Sequence, residues 1–234
     1  MTPLVELVGI HKRFPGVYAL KGVDFDVRAG EVHALVGENG AGKSTMIKVA
    51  AGVHDFEEGS YRIEGQAVDI RHPRQALDEG IAVVYQELEL VLSLSVAENL
   101  FFGRLPHDRG GRVRWGELYD ESKKLLAEVG LELDPKTKVG HLGVAAQQLV
   151  EIARALSFAA KVIIMDEPTS ALSPREIEKL FVLIARLKAR GVGLVYVSHK
   201  LDEIIALADR VTVLRDGQRV ACKETVDLDE DRLI

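Results

Sequence analysis

The chain has 234 residues, 47% of them hydrophobic and 28% charged, with a formal net charge of −6. That length and apolar content suffice for a buried core in a soluble globular chain, and the negative balance argues against a nucleic-acid partner. No apolar run approaches the roughly 20 residues of a membrane span, no secretory pattern opens the chain, and a single cysteine, Cys222, suits a reducing compartment. A soluble, cytoplasmic protein is expected, reaching any membrane through a partner. The run His11-Lys12-Arg13 and the arginines 104, 109, 112 and 114 read as solvated surface or loop. Cys222, alternating with Val220, reads as a small core residue.

Alternation over residues 20–27 places Val23, Phe25 and Val27 on one face of a strand that turns at Ala29-Gly30. Residues 31–36 form an apolar strand leading into a glycine-rich loop and a helix over 43–51, with short strands at 61–63 and 81–85. From 87 to 159 the pattern is helical. Trp115, Leu118, Tyr119, Leu125, Leu126 and Val129 recur at helical spacing before a Gly130 cap, and 147–156 buries Leu149, Ile152, Ala153 and Leu156. Then α/β alternation returns with a fully apolar strand at 162–165. Ser173-Pro174-Arg175-Glu176 is a capping box with proline in the first helical position. The helix it opens turns Ile177, Leu180, Phe181, Ile184 and Leu187 inward and stops at Gly191. A strand at 194–197, a helix at 201–208, a strand at 211–214 and a turn at Asp216-Gly217 complete an α/β core (1–86 and 160–234) interrupted by a helical insertion (87–159).

Gly37-Glu38-Asn39-Gly40-Ala41-Gly42-Lys43-Ser44, followed by Thr45, fits G-x-x-x-x-G-K-[ST]. Glycines let consecutive N–H groups converge on phosphate oxygens at a helix N-terminus, where the dipole favours anions. Lys43 is expected to hold the β- and γ-phosphates and the Ser44 hydroxyl to complete a Mg²⁺ shell. Residues 161–167 read KVIIMDE, two carboxylates at the carboxyl end of a buried strand, where parallel sheets place their ligands. Asp166 is expected to orient Mg²⁺ and Glu167 to polarise the attacking water.

Standing in this order, these motifs resemble the ATP-binding-cassette (ABC) ATPases, and the resemblance spans essentially the whole chain. It implies a P-loop NTPase (RecA-like) α/β core with an antiparallel β subdomain and an inserted α-helical subdomain, an ATPase activity, and ATP and Mg²⁺ as cofactors. Gln86, after IAVVY, matches the family's Q-loop glutamine, which touches Mg²⁺ and the attacking water. His199, ending GLVYVS, matches the switch histidine at the γ-phosphate. Phe14, 29 positions before Lys43, stands where an aromatic stacks on adenine, with Tyr18 as the alternative. EPTSALS resembles the D-loop, with Ser173 in place of its usual aspartate. The signature LSGGQ, which clamps the ATP of a partner cassette, aligns with Leu142-Gly143-Val144-Ala145-Ala146, so its serine hydroxyl is missing.

FPGVYAL, GENGAGKST, SVAENLFFGR, QQLVEIARALS and VTVLRDGQ together look like the first cassette of tandem monosaccharide importers of the ribose, galactose and xylose type. The partners implied are a second cassette, integral membrane permease subunits, for which Leu88, Leu90, Val91 and Leu92 are candidate apolar contacts with a core role for some of them equally open, and indirectly a periplasmic sugar-binding protein. Nucleic acid is not among them. The place implied is the inner face of the cell membrane. EDRLI falls where a linker to a second cassette begins, so this reads as an N-terminal cassette or a split subunit. The alternatives are a soluble ABC ATPase of DNA repair or translation, and an ATP-binding module with little turnover alone.

Overall fold

A computed structural model describes residues 2–227; the EDRLI segment lies outside them. The elements in chain order are β1 (Val5–Phe14), β2 (Val17–Val27), β3 (Val32–Val36), α1 (Lys43–Ala50), β4 (Glu58–Ile63), β5 (Gln66–Ala67), α2 (Pro73–Asp78), β6 (Ile81–Val84), α3 (Val96–Leu100), α4 (Trp115–Glu128), α5 (Val144–Leu156), β7 (Val162–Asp166), α6 (Pro174–Ala189), β8 (Gly193–Val197), α7 (Leu201–Leu207), β9 (Arg210–Arg215) and β10 (Gln218–Glu224). Of the described residues, 2–83, 160–167 and 184–227 form one compact unit, and 84–159 with 168–183 form another.

The first unit carries two sheets, ordered β2-β1-β4-β5 and β10-β9-β3-β8-β7-β6. In the larger, β9, β3, β8 and β7 run parallel, and β10 returns antiparallel along β9. Every residue of β3 and β8 is buried, as expected of apolar strands covered on both faces. In β1 the buried set is Val5 and Leu7, then Ile10 and Lys12. The change of parity is a bulge at Gly9, whose N–H donates to Asp24 Oδ1 at 2.7 Å.

Beside β3 lies a buried polar network. Arg210 donates twice to Asp26, at 2.9 and 2.7 Å, and stands 3.2 Å from Glu31. The Asp26 carbonyl can only accept, so His33 Nδ1 carries the proton given to it at 2.7 Å, and Nε2 accepts from the Thr212 hydroxyl at 2.8 Å. Burial, then the Arg210 charge, hold the His33 pKa down at about 4, so the ring is neutral.

In the second unit the α4 face toward the interior is Leu118, Ser122 and Leu126, with Gly130 at φ 71 ending the helix. α5 buries Ile152 and Ala153 as expected. Leu149 and Leu156, expected inside, are half-buried, while Gln148, Val150, Glu151 and Ala155 lie deeper. Along α6, Leu180, Leu183, Ile184 and Leu187 are buried, and Ile177 and Phe181 are only half-buried. Of the expected α6 capping box the Glu176 half is present: Ser173 N–H and hydroxyl both donate to the Glu176 carboxylate, at 2.8 and 2.6 Å, while the Glu176 N–H donates to the Ser173 carbonyl at 2.9 Å.

Two further expectations are corrected. Cys222 and Val220 are exposed, because they sit on β10 at the outer edge of its sheet. Lys12 is not solvated but buried, its ammonium donating to Asp55 at 2.7 Å and Glu57 at 3.1 Å. Arg104 is likewise half-buried, donating to the carbonyls of Ser157 and Leu100 at 3.0 Å each.

Candidate functional site

The loop from β3 to α1 turns on Gly37 and Gly42, both at positive φ (152° and 106°). A Cβ on Gly42 would lie 2.8 Å from the Ala19 carbonyl, so glycine is required there on both steric and conformational grounds. Gly42 caps α1 without any side-chain hydrogen bond, leaving the first-turn N–H groups available for an anion. Lys43 turns back over the loop and donates to the carbonyls of Gly37 and Glu38 at 2.6 and 3.1 Å. Glu38, Asn39, Gly40 and Ser44 are exposed, Thr45 is half-buried, and Ala41 is buried against the core.

β7 ends at Asp166, half-buried in the same unit as the loop. Burial, then the neighbouring Glu167 charge, raise its pKa, and the Lys43 and Lys48 ammonium groups pull it back. Glu167 takes a left-handed backbone, φ 47°, held by its N–H donating to Val197 O at 2.9 Å. For a non-glycine residue this conformation costs on the order of 1–3 kcal/mol. The turn aims the carboxylate at His199, Nδ1 to Oε1 3.2 Å, and His199 is largely exposed. Two of the sequence-derived candidates are therefore a touching pair in the unit that carries Lys43.

Phe14, at the end of β1, is half-buried and meets His54 near-perpendicularly with ring centroids 5.2 Å apart. Tyr18 is engaged elsewhere: its hydroxyl pairs with His11 Nδ1 and accepts from Arg13 at 3.0 Å, and the Arg13 guanidinium lies 4.2 Å from its ring centroid.

Gln86 and the signature-like segment belong to the second unit. Gln86 is exposed, just past β6. Gly143 is the extended N-cap of α5 (φ −67°, ψ 160°) and gives it no side-chain cap. Leu142, Ala145 and Ala146 are half-buried and Val144 is exposed. Gln147 closes the turn by donating to the Val139 and Leu142 carbonyls at 3.2 and 3.0 Å, and Gln148 donates to Pro168 O at 2.6 Å. Beside them is a cleft of about 260 Å³ lined by Gly143, Ala145, Ala146, Leu172, Glu176 and Lys179 among others.

Some supporting residues escape a reading of motifs. Gly217 N–H donates to Ala41 O at 3.1 Å and its carbonyl accepts from Lys21 at 2.8 Å, so the β9–β10 turn braces the phosphate loop. A Cβ there would lie 2.7 Å from Ala19 O. Asp216-Gly217 was legible as a turn but not as a brace. Lys48, in the last turn of α1 and outside the phosphate-loop motif, also lowers the Asp166 pKa.

No helix among the described residues is long and apolar enough to cross a membrane. The model of the family described as ABC transporter matches residues 20–170. The chain is 51% identical over its full length to a ribose import ATP-binding protein, RbsA 2, of Rubrobacter xylanophilus, covering 45% of that protein. It is 46% identical, over 99% of its length, to the galactose/methyl galactoside import ATP-binding protein MglA of Salmonella typhimurium, covering 46% of it. The chain thus spans about half the length of these relatives. Among solved structures, a dimeric post-hydrolysis state of the ATP-binding cassette MJ0796 bound to ADP and Pi superposes with a TM-score of 0.79 at 26% identity, over 94% of this chain and 98% of that one. With more than half its length matched by the family model and its phosphate loop inside that match, the chain belongs to the ABC transporter family.

Proposed function

We propose that this chain is the ATP-hydrolysing cassette of a monosaccharide importer, working as one half of a pair of cassettes. The observation that carries the reading is the Glu167–His199 pair at the end of β7 and β8, in the unit whose phosphate loop presents Lys43. In that arrangement the loop N–H groups and Lys43 bind the triphosphate. Glu167 takes a proton from water as the water oxygen bonds to the γ-phosphorus. The bond from that phosphorus to the β–γ bridging oxygen breaks, and ADP leaves. His199 orients Glu167 and faces the γ-phosphate, and Phe14 stacks on the base; for Gln86 the role at Mg²⁺ and the attacking water stays the one the resemblance implies.

Magnesium fits the donors at hand. Ser44 and Asp166 offer hard oxygens, and the burial that raises the Asp166 pKa makes a cation beside it favourable. Ser44 and Asp166 would hold such an ion, and Mg²⁺ ordinarily takes its remaining ligands from phosphate and water. When bound it neutralises charge on the β- and γ-phosphates.

The names of the relatives, ribose and galactose import ATP-binding proteins, support the substrate class. The partners proposed are a second cassette, integral membrane permease subunits contacting Val91 and Leu92, and, indirectly, a periplasmic sugar-binding protein, at the cytoplasmic face of the membrane. Val91 and Leu92 are exposed apolar residues, whereas Leu90 is buried and belongs to the core. Calorimetry of the purified chain should show Mg·ATP binding with slow turnover, and turnover should rise when a cassette with an intact LSGGQ is supplied. Absence of Mg·ATP affinity contradicts the reading; full turnover in a dilute monomer contradicts the pairing.

A further inference from the structure

Lys12 and His54 have no part in the hydrolytic reading, yet both converge on Phe14. The Lys12 ammonium is buried at the end of β1, 5.3 Å from the Phe14 ring centroid, and is fixed by Asp55 at 2.7 Å and Glu57 at 3.1 Å. Those two carboxylates follow His54 on the segment between α1 and β4, so the pairs that immobilise Lys12 also tie the His54 segment to the strand end. Backbone bonds tighten the same joint: Glu57 N–H donates to His11 O at 2.9 Å, and the other Glu57 oxygen accepts from Arg13 N–H at 2.9 Å.

The His54 backbone is tied in turn to α1. His54 and Val53 N–H groups both donate to the Lys48 carbonyl, at 3.1 and 2.8 Å. One eight-residue helix therefore carries the phosphate loop at its first turn and seats His54 at its last, over an axial length of about 12 Å. A ring held only by its own χ angles would rotate among rotamers. Phe14, held by a cation and by a near-perpendicular aromatic, keeps one orientation at a fixed distance from the loop; aromatic pairs of this geometry and cation–π contacts each contribute beyond simple burial.

We propose that His54 and Lys12 are positioning residues that lock Phe14 as the platform for the nucleotide base, with α1 setting the spacing between base and triphosphate. The proposal rests on the reading of Phe14 as the stacking aromatic. It specifies that affinity for a base-bearing triphosphate, over a baseless one, depends on His54 although His54 is outside every nucleotide motif.

The test compares binding of Mg·ATP and Mg·tripolyphosphate to the whole chain, expressed as the ratio of the two affinities. Stacking of a base on an aromatic corresponds to a factor of about 5 to 150. Phe14→Ala should lower the ratio about tenfold or more, His54→Ala about fivefold, and His54→Phe should restore it. Lys12→Met should lower it by about threefold. Phe14→Ala and His54→Ala combined should fall no further than Phe14→Ala alone. If Phe14→Ala lowers the ratio while His54→Ala leaves it at the wild-type value, or His54→Phe fails to restore it, the positioning role is overturned and Phe14 stays. If Phe14→Ala leaves the ratio unaltered, the base platform and this proposal fall together. If neither ligand binds the wild type, the nucleotide reading itself fails.

Discussion

Two helix N-termini in this chain invite comparison, those of α1 and α5. Both follow a glycine that supplies no side-chain cap, and both leave first-turn N–H groups unpaired by side chains. Gly42 is left-handed and hands the chain to Lys43, Ser44 and Thr45; Gly143 is extended and hands it to Val144, Ala145 and Ala146. Backbone dipole is common to the two, and contributes about 0.3–1 kcal/mol toward an anion. Hydrogen bonds from charged groups contribute about 1.5–3 kcal/mol each. The α1 end has them and the α5 end does not, so the first can grip a triphosphate and the second can at most lean on one. On the proposed function, a cassette built this way would hold its own nucleotide firmly and its partner's weakly.

Removing the cation should erase the contrast. Lys43→Ala is expected to weaken Mg·ATP binding about 100-fold, the equivalent of about 3 kcal/mol, as read by calorimetry; an unaltered affinity would mean that the two ends differ in name only.

Acid should separate the two regions with opposite signs. His33, on the strand feeding α1, has its pKa lowered from 6.5 to about 4. The unfolded chain therefore binds the extra proton first, and stability present above pH 6.5 is lost as pH falls toward 4, by about 3 kcal/mol. Around it, Arg210, Arg28 and Asp26 hold fixed charge, while the raised pKa of buried Glu31 works the other way. In α5, burial and then Glu89 raise the pKa of Glu151 against the pull of Arg154. Its contribution is full below the unfolded value near 4.5 and is lost as pH rises through the folded one. Hydrogen exchange between pH 7 and 5 should show protection falling in β3 more than in α5, and His33→Gln should remove the excess. Equal loss in both would refute the assignment.

A smaller effect tests the brace. Gly217→Val forces a Cβ to within 2.7 Å of Ala19 O at φ 77°, and should lower stability by about 1–3 kcal/mol together with Mg·ATP affinity, measured by thermal unfolding with and without nucleotide. Smallest in stability is Gly143→Ser, which adds an N-cap hydroxyl to α5 and should stabilise the chain by a few tenths of a kcal/mol. It should also raise turnover at a partner's site; no rise would mean the missing hydroxyl is not what weakens that end.

The same contrast governed what could be seen in advance. The phosphate loop and the carboxylates after β7 were legible because glycines, a lysine and acids at strand ends are costly to place without a purpose. Sites made of packing were not. Lys12 looks like one charge in a run, and only the Gly9 bulge, which reverses the parity of β1, sends it inward. β10 was missed although Asp216-Gly217 is a two-residue hairpin turn with both φ positive, a signal that implies a returning strand. Alternation at Val220 and Cys222 reports two faces without saying that an edge strand leaves both wet, so Cys222 reads as core in the sequence and is exposed in the fold. In α5 the burial of Gln148 and Glu151 hid the inward face from any apolar count.

The central claim is that Glu167 drives hydrolysis at the α1 end. Its most direct test is a single-turnover experiment on Glu167→Gln, supplied with Mg·ATP and a cassette bearing an intact signature. Bound, uncleaved ATP is expected, with a cleavage rate at least about 100-fold below wild type, the usual contribution of a general base. Cleavage at the wild-type rate by Glu167→Gln would contradict it.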